Sequence, residues 1–367
     1  DDEAARRAED AGAVRGGRSF TVHAGARAAA QLRAHGLAAA DVGCVPAAAG
    51  GPKGLVLIPL DRRLFDPARG WLRGASLELV GASIGAWRMA AAAMREPLSA
   101  LDRLAAAYVG QTYSHRPSPR EVAEQCRRLA RAVLGDARSV DAPPGRALTV
   151  VTARARGALE RDATRGAFAR AALVNTLSRS RLAAHLQRVV FTAGSPRLLS
   201  DPFDAFGLDL VALDGRNCED ALLASGSIPL LCEPVRNPEG APRGQYWDGG
   251  LIDYHLLLPY SRLPKLVLYP HFAPSVTAGW LDKFLPWRRH ARAHPWLANV
   301  LVVAPSTAML ERLPNRKLPD RNDFYRYGLD HATRQRDWRR AMAESERFAD
   351  KVMAWLERPD PSLLRPL

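Results

Sequence analysis

Two stretches of this chain share one design: an apolar run that ends in glycines and passes at once into a helix-forming segment. The first is VGCVPAAAGGPKGL (residues 42–55) and the second is LELVGASIGAWRMAAAAM (residues 77–94). Strand, tight glycine turn and helix, repeated in succession, is the pattern of strands lying side by side in a parallel sheet with helices crossing its faces. The pattern predicts a three-layer α/β/α fold with a mainly parallel central sheet, and it places Ser83 at the C-terminal edge of a central strand.

The rest of the chain fits that frame. AGARAAAQLRAHGL (24–37) has high helix propensity and closes on Gly36. A helix is expected near 54–65, and another after Ser83 up to Glu96. Between about 97 and 147 the pattern is helical. Ser99 with Asp102, and Ser118 with Pro119 and Glu121, mark two helix starts, and DAPPG at 141–145 is a turn. Strands are expected over 148–153, 188–193, 209–213, 265–270 and 299–304, with a long charged helix over 331–357. One domain over 1–367 accommodates all of this, with a core of motifs at about 42–260, a helical insertion at about 97–147 and a C-terminal extension at about 262–367.

Composition narrows the function classes. The chain has 367 residues, 47% of them hydrophobic, enough for one large core. No apolar run approaches the length of a membrane span, and the first residues, DDEAARRAED, are acidic and polar where a secretory signal is basic and then apolar. A cytoplasmic protein with peripheral membrane contact is expected. Cys44, Cys126, Cys218 and Cys232 lie far apart with no CxxC or Cys/His cluster, so reduced, buried thiols are expected, with no metal and no cofactor. The net charge of +14 favours anionic partners. Its arginines are spread along an alanine-rich chain without RNA- or DNA-binding motifs, which argues against nucleic acid and leaves anionic lipid surfaces.

Three short constellations carry chemistry. In GASIG, Ser83 lies between Gly81 and Gly85. A serine at a strand-to-helix turn has strained backbone angles, and a side chain two residues away on either side would strike the opposite limb. In AAAGGPKGL (47–55), consecutive glycines expose N–H groups that can point at one anion, with Lys53 beside them. No hydroxyl follows the lysine, so the loop suits an oxyanion better than a magnesium nucleotide. In QYWDGGLIDYH (245–255), an aromatic strand ends at Asp248, and Gly249 and Gly250 leave its carboxylate unobstructed. Nucleophile, oxyanion donors and acid together form the kit for acyl transfer through a serine ester. A histidine base would have to come from His255, His271, His290, His294 or His331, none of which sits in a recognisable histidine loop.

In this combination the chain resembles the patatin-like phospholipase family, as a divergent branch. The family's ordered motifs are matched by Ala49-Gly50-Gly51-Pro52-Lys53-Gly54, by Gly81-Ala82-Ser83-Ile84-Gly85, by ASGSIPLLCEPV at 224–235 and by Asp248-Gly249-Gly250. The match spans about residues 42–253. It departs at Ala49, where the family has glycine, and at Asp253-Tyr254-His255, where many members have asparagine and proline. The resemblance implies a patatin-like fold and a lipid acyl hydrolase of phospholipase A or lysophospholipase type. It also implies a Ser83–Asp248 dyad that needs no histidine and an oxyanion hole from Gly50, Gly51 and Lys53, supported by Gly54, Gly81, Gly85, Gly249 and Gly250.

Such an enzyme takes its substrate from a membrane or micelle. AGWLDKFLPWRRHARAHPW (278–296) joins Trp280, Leu281, Phe284, Leu285 and Trp287 to Arg288, Arg289 and Arg292, which suits shallow insertion into anionic lipid and equally suits core packing. Two other readings stay open. One is a histidine-assisted esterase or storage-polyester depolymerase; the other is an inactive relative that binds a lipid surface or a partner.

Overall fold

The computed structural model describes residues 17–161, 165–291 and 293–367. The acidic start of the chain and Arg292 lie outside the described residues. Among the described residues eleven strands form one sheet. In chain order the principal elements are β1 (Phe20–Ala24), α1 (Ala26–His35), β2 (Val42–Ala47), α2 (Ile58–Phe65), β3 (Leu77–Gly81), α3 (Ile84–Ala93), α4 (Pro97–Gly110), α5 (Pro119–Leu134), β4 (Arg146–Ala155), α6 (Arg165–Leu177) and β5 (Leu186–Ala193). They continue with β6 (Asp209–Ala212), α7 (Cys218–Gly226), β7 (Val235–Arg236), β8 (Gln245–Asp248), β9 (Leu266–Pro270), β10 (Val300–Pro305), α8 (Asn322–Tyr327), α9 (His331–Glu357) and β11 (Leu364–Pro366).

The strand order is β11-β1-β10-β9-β2-β3-β4-β5-β6. The central run from β10 to β4 is parallel throughout. β1 against β10 and β5 against β4 are antiparallel. Helices cover both faces, giving the three-layer α/β/α arrangement with a mainly parallel sheet. The central strands are buried over nearly their whole length, as strands covered on both faces must be. Helix α3 is buried at every residue, and its run of alanines lets it lie close against β2, β3 and β4. The four cysteines are free and buried. Among the described residues no helix is long and apolar enough to cross a membrane.

Helix α5 starts where its cap signal stands: Ser118 Oγ accepts the Glu121 N–H at 3.1 Å. Helix α4 corrects the other reading. It begins at Pro97, so Ser99 and Asp102 lie within its first turns, where Ser99 accepts from Arg103 and Asp102 pairs with Arg62. Proline fixes a helical φ and so starts this helix, although Glu96 before it makes no side-chain cap. The C-terminal extension supplies β9, β10 and β11, so the sheet draws strands from almost the full described length.

Candidate active site

The register on β4 brings the site together. β3 runs parallel to the first half of β4 and ends with Gly81 opposite Val150. β8 runs antiparallel to the second half and ends with Asp248 opposite Thr152. The two strand ends therefore point at each other across Val151, from opposite directions along one neighbour. Ser83 follows two residues after the first end, and Asp248 is the last residue of the second.

The segment at 224–235 locks this junction. Ser225 Oγ donates to the Val151 carbonyl at 2.7 Å and accepts the Ser83 N–H at 2.9 Å. The Asp248 N–H donates to the Ser227 carbonyl at 2.8 Å. Both serines are fully buried at the end of α7, so one short stretch holds the backbones of both Ser83 and Asp248.

Ser83 has φ 56° and ψ −129°, a conformation rare for a non-glycine residue and costing on the order of 1–3 kcal/mol. The glycines beside it permit the turn. A Cβ on Gly81 would come within 2.4 Å of the Gly85 carbonyl oxygen, and one on Gly85 within 1.9 Å of that of Ala47 on β2. Gly249 is constrained in the same way, since a Cβ there would meet the Val151 oxygen at 2.2 Å. These glycines let three backbones converge on the hydroxyl.

Asp248 is buried, and loss of hydration pushes its pKa up to about 6. Hydrogen bonding from the Ser83 hydroxyl and the Gly250 N–H, the latter at 2.7 Å from Oδ1, together with the positive charge of Arg321, opposes that rise. At neutral pH the group is ionised yet a far better proton acceptor than an exposed aspartate.

The glycine loop faces the same space. The Ala49 N–H donates to the Tyr254 carbonyl at 3.0 Å, which fixes the loop. Gly50 precedes the 3-10 turn Gly51–Leu57 and Gly51 opens it, and their N–H groups have no hydrogen-bond acceptor among the described residues. Alanine is tolerated at 49 because its methyl lies against Gly250, which has no side chain to oppose it. Lys53 sends its ammonium over the Phe272 ring, 5.2 Å from the centroid, and lines the cavity alongside the N–H groups.

Two cavities meet at the serine. One, of about 370 Å³, is lined by Lys53, Ser83, Asp248, Lys283 and Arg321. The other, of about 400 Å³, is lined largely by apolar and aromatic residues including Trp87, Leu129, Ile228, Leu231 and Phe324. Ser83, Gly51, Ile228 and Arg321 border both. The hydroxyl thus stands between a cationic compartment and an apolar one.

The chain matches no protein-family model and no curated protein sequence. Among the described residues no cluster of His, Cys, Asp and Glu side chains is placed to hold a metal ion.

The histidines are placed elsewhere. His255 and His271 are buried against each other with ring centroids 4.4 Å apart, and neither lines the cavity that holds Ser83 and Asp248. Their Nδ1 atoms accept the Thr277 and Ala273 N–H groups at 3.0 and 2.8 Å, and burial drives both pKa values down. His290 bonds to Ser275, and His294 caps a turn through the Trp296 N–H. His331 lies on the wall of the apolar cavity.

Of the interfacial segment, Phe284 and Trp287 are exposed (61% and 68%), Arg289 is exposed and Arg288 is half-buried. Trp280 and Leu281 are half-buried, and Leu285 is buried. The segment is therefore split between surface and core. Lys283 and Arg321 were not singled out from the sequence, and no local pattern marks them.

Proposed function

We propose that the protein is a serine-dependent lipid acyl hydrolase that cleaves carboxylic esters through a Ser83–Asp248 dyad. The observation that carries this is the head-on meeting of β3 and β8, which sets a strained serine and a buried, proton-hungry carboxylate in one cavity beside two unpaired glycine N–H groups. The reading agrees with the resemblance to patatin-like phospholipases.

In the first half-reaction the Ser83 hydroxyl gives its proton to the Asp248 carboxylate as Oγ bonds to the ester carbonyl carbon. The carbonyl electron pair moves onto oxygen, where the Gly50 and Gly51 N–H groups receive it, an effect of roughly 3 kcal/mol per donor in comparable sites. Collapse breaks the bond to the alcohol oxygen, which takes the proton from Asp248 and departs. In the second half-reaction water gives a proton to Asp248 and attacks the acyl-enzyme. Collapse releases the acid and returns the proton to Ser83. The apolar cavity beside Ser83 is suited to the acyl chain. Backbone strain at Ser83 presents the hydroxyl at the start of α3, and the glycines keep its approach open.

A fluorophosphonate probe should label the wild type at Ser83, as read by mass spectrometry, and should leave Ser83→Ala unlabelled. Equal labelling of both proteins, or none in the wild type with and without anionic vesicles, would refute the reading. For substrate supply, the exposed Phe284 and Trp287 with Arg289 form a surface suited to an anionic membrane, and Phe284 also lines the cavity. Phe284→Ala with Trp287→Ala should lower sedimentation with anionic liposomes several-fold; unchanged sedimentation would remove this surface from the account.

A further inference from the structure

A tyrosine hydroxyl taken out of water needs a hydrogen-bond partner, because a polar group left unpaired there is costly. Tyr113, Tyr246, Tyr260, Tyr269 and Tyr327, all buried or half-buried, each donate to an oxygen of the protein at 2.6 or 2.7 Å. Tyr325 is exposed. Tyr108 and Tyr254 are buried, yet their hydroxyls have no hydrogen-bond partner among the described residues. Both line the cavities that meet at Ser83, Tyr254 the cationic one and Tyr108 the apolar one.

Tyr108 is the one whose hydroxyl reaches the glycine loop. Its Oη stands 3.6 Å from the point where a Cβ on Gly51 would lie, and among the described residues no other atom from outside the loop comes within 4 Å of that point. The hydroxyl therefore covers the open face of Gly51, beside an N–H that also lacks an acceptor. Gly51, Tyr108 and Ser83 border one cavity.

The ring is held firmly. Tyr108 lies on α4 between Trp87 of α3 and Trp338 of α9, with ring centroids 6.1 and 6.2 Å away. Each tryptophan is pinned by its own indole N–H, Trp87 to the Leu222 carbonyl and Trp338 to an Asp323 oxygen, both at 2.9 Å. A donor fixed in this way needs no reorganisation when charge develops next to it. Burial raises the pKa of the phenol well above its ordinary value; Arg321 opposes the rise, and Cys126 and Asp248 add to it. At neutral pH the group is thus an uncharged hydroxyl, able to donate a hydrogen bond and unable to act as a base.

An alkyl chain in the apolar compartment would displace water from this wall and offer the hydroxyl no acceptor. On the acyl side of a simple ester the atom that can accept is the carbonyl oxygen, and in the tetrahedral state that oxygen carries the negative charge beside Gly51. We infer that the Tyr108 hydroxyl donates a hydrogen bond to the oxyanion formed at Ser83, as a third catalytic donor alongside the Gly50 and Gly51 N–H groups. The inference rests on the acyl-hydrolase reading and adds to it a residue from the helical insertion, where the sequence marks none.

The test is steady-state hydrolysis of p-nitrophenyl acetate and p-nitrophenyl decanoate by the full chain, as wild type, Ser83→Ala and Tyr108→Phe. The last removes the hydroxyl and keeps the clamped ring. Its kcat should fall at least about tenfold, by the same factor for both esters, with KM changed less than about twofold. Fluorophosphonate labelling of Ser83, which also places charge on an oxygen in this hole, should slow by a similar factor. Urea unfolding of Tyr108→Phe should match wild type, since the hydroxyl has no partner within the protein. Wild-type kcat and labelling in Tyr108→Phe would overturn the inference. So would a loss confined to the KM of the decanoate ester, which is the mark of a wall that packs against a chain. Lower stability alongside the lower activity would overturn it as well, by showing that the hydroxyl holds the fold. The two readings fail separately: Ser83-dependent hydrolysis that Tyr108→Phe leaves untouched removes Tyr108 alone, whereas a wild type without Ser83-dependent hydrolysis of either ester removes the hydrolase reading and the role of Tyr108 with it.

Discussion

Five residues beyond each member of the proposed dyad, Ser83 and Asp248, stands a charged residue that the protein handles in the opposite way. Arg88, on the helix that Ser83 starts, forms a two-point ion pair with Asp61 at 2.6 and 2.8 Å, and the two side chains are 1% and 0% exposed. Asp253, on the turn that follows Asp248, is held by Arg188, which also binds Asp204. These pairs anchor the helix after the serine to α2 and the turn after the aspartate to β5. Asp248, Lys53, Lys283 and Arg321, in contrast, keep their charge without an ion pair. The two ion pairs fix the frame, and the four unpaired charges line the cavity.

The sharpest way to break that contrast is Asp248→Asn. Loss of the base should lower turnover of any ester at least about 10³-fold. The same change should stabilise the fold at high pH. A carboxyl whose native pKa lies above its unfolded value confers stability that is full below 3.8 and lost as pH rises through about 6. A rise of that size corresponds to on the order of 3 kcal/mol. Urea unfolding should therefore show Asp248→Asn more stable than wild type at pH 8 by up to that amount, with the advantage gone at pH 4. Wild-type kcat/KM for an uncharged ester should rise with pH through about 6. A mutant that is inactive and also less stable at pH 8 would mean that Asp248 belongs with the structural pairs.

The structural pair should respond in the other direction. Asp61→Asn strands the buried Arg88 guanidinium, whose Nη1 already lacks a partner among the described residues, and should cost about 3–5 kcal/mol in urea unfolding. Replacing both residues, as Asp61→Leu with Arg88→Met, should recover most of that loss. A loss below about 1 kcal/mol in the single mutant would show that the pair anchors little.

The same division between paired and unpaired charge explains what the sequence revealed. Ser83, Asp248 and the glycines around them were legible because close backbone approach excludes side chains, and that exclusion leaves small residues in consecutive positions. The parallel strands and the helix at 331–357 were legible from their apolar pattern. Lys283 and Arg321 were not: the chain has 52 Lys and Arg residues, and whether one of them meets an acid is settled by segments far away in sequence. The C-terminal extension, which carried no motif, proves to supply both cations as well as three strands of the sheet. The mutual burial of His255 and His271 was hidden for the same reason, since only tertiary contact distinguishes them from catalytic candidates.

Ser225 offers the smallest and most discriminating test, because it touches both halves of the contrast without carrying charge. Its hydroxyl links the strained Ser83 N–H to the Val151 carbonyl at the point where β3 and β8 meet. Ser225→Ala leaves two buried backbone groups unpaired and should destabilise the protein by about 1–3 kcal/mol. A packing role alone predicts only that loss. A positioning role predicts more: with the Ser83 backbone free to relax from its rare conformation, kcat should fall about tenfold at unchanged KM, and fluorophosphonate labelling should slow by a similar factor. Ser225→Thr, which keeps the hydroxyl, should recover the labelling rate better than the stability, because the added methyl must fit a fully buried site. If Ser225→Ala lowers stability while labelling and kcat stay at wild-type values, the Ser83 conformation is held by the glycines and α3 alone, and the segment at 224–235 belongs wholly to the frame.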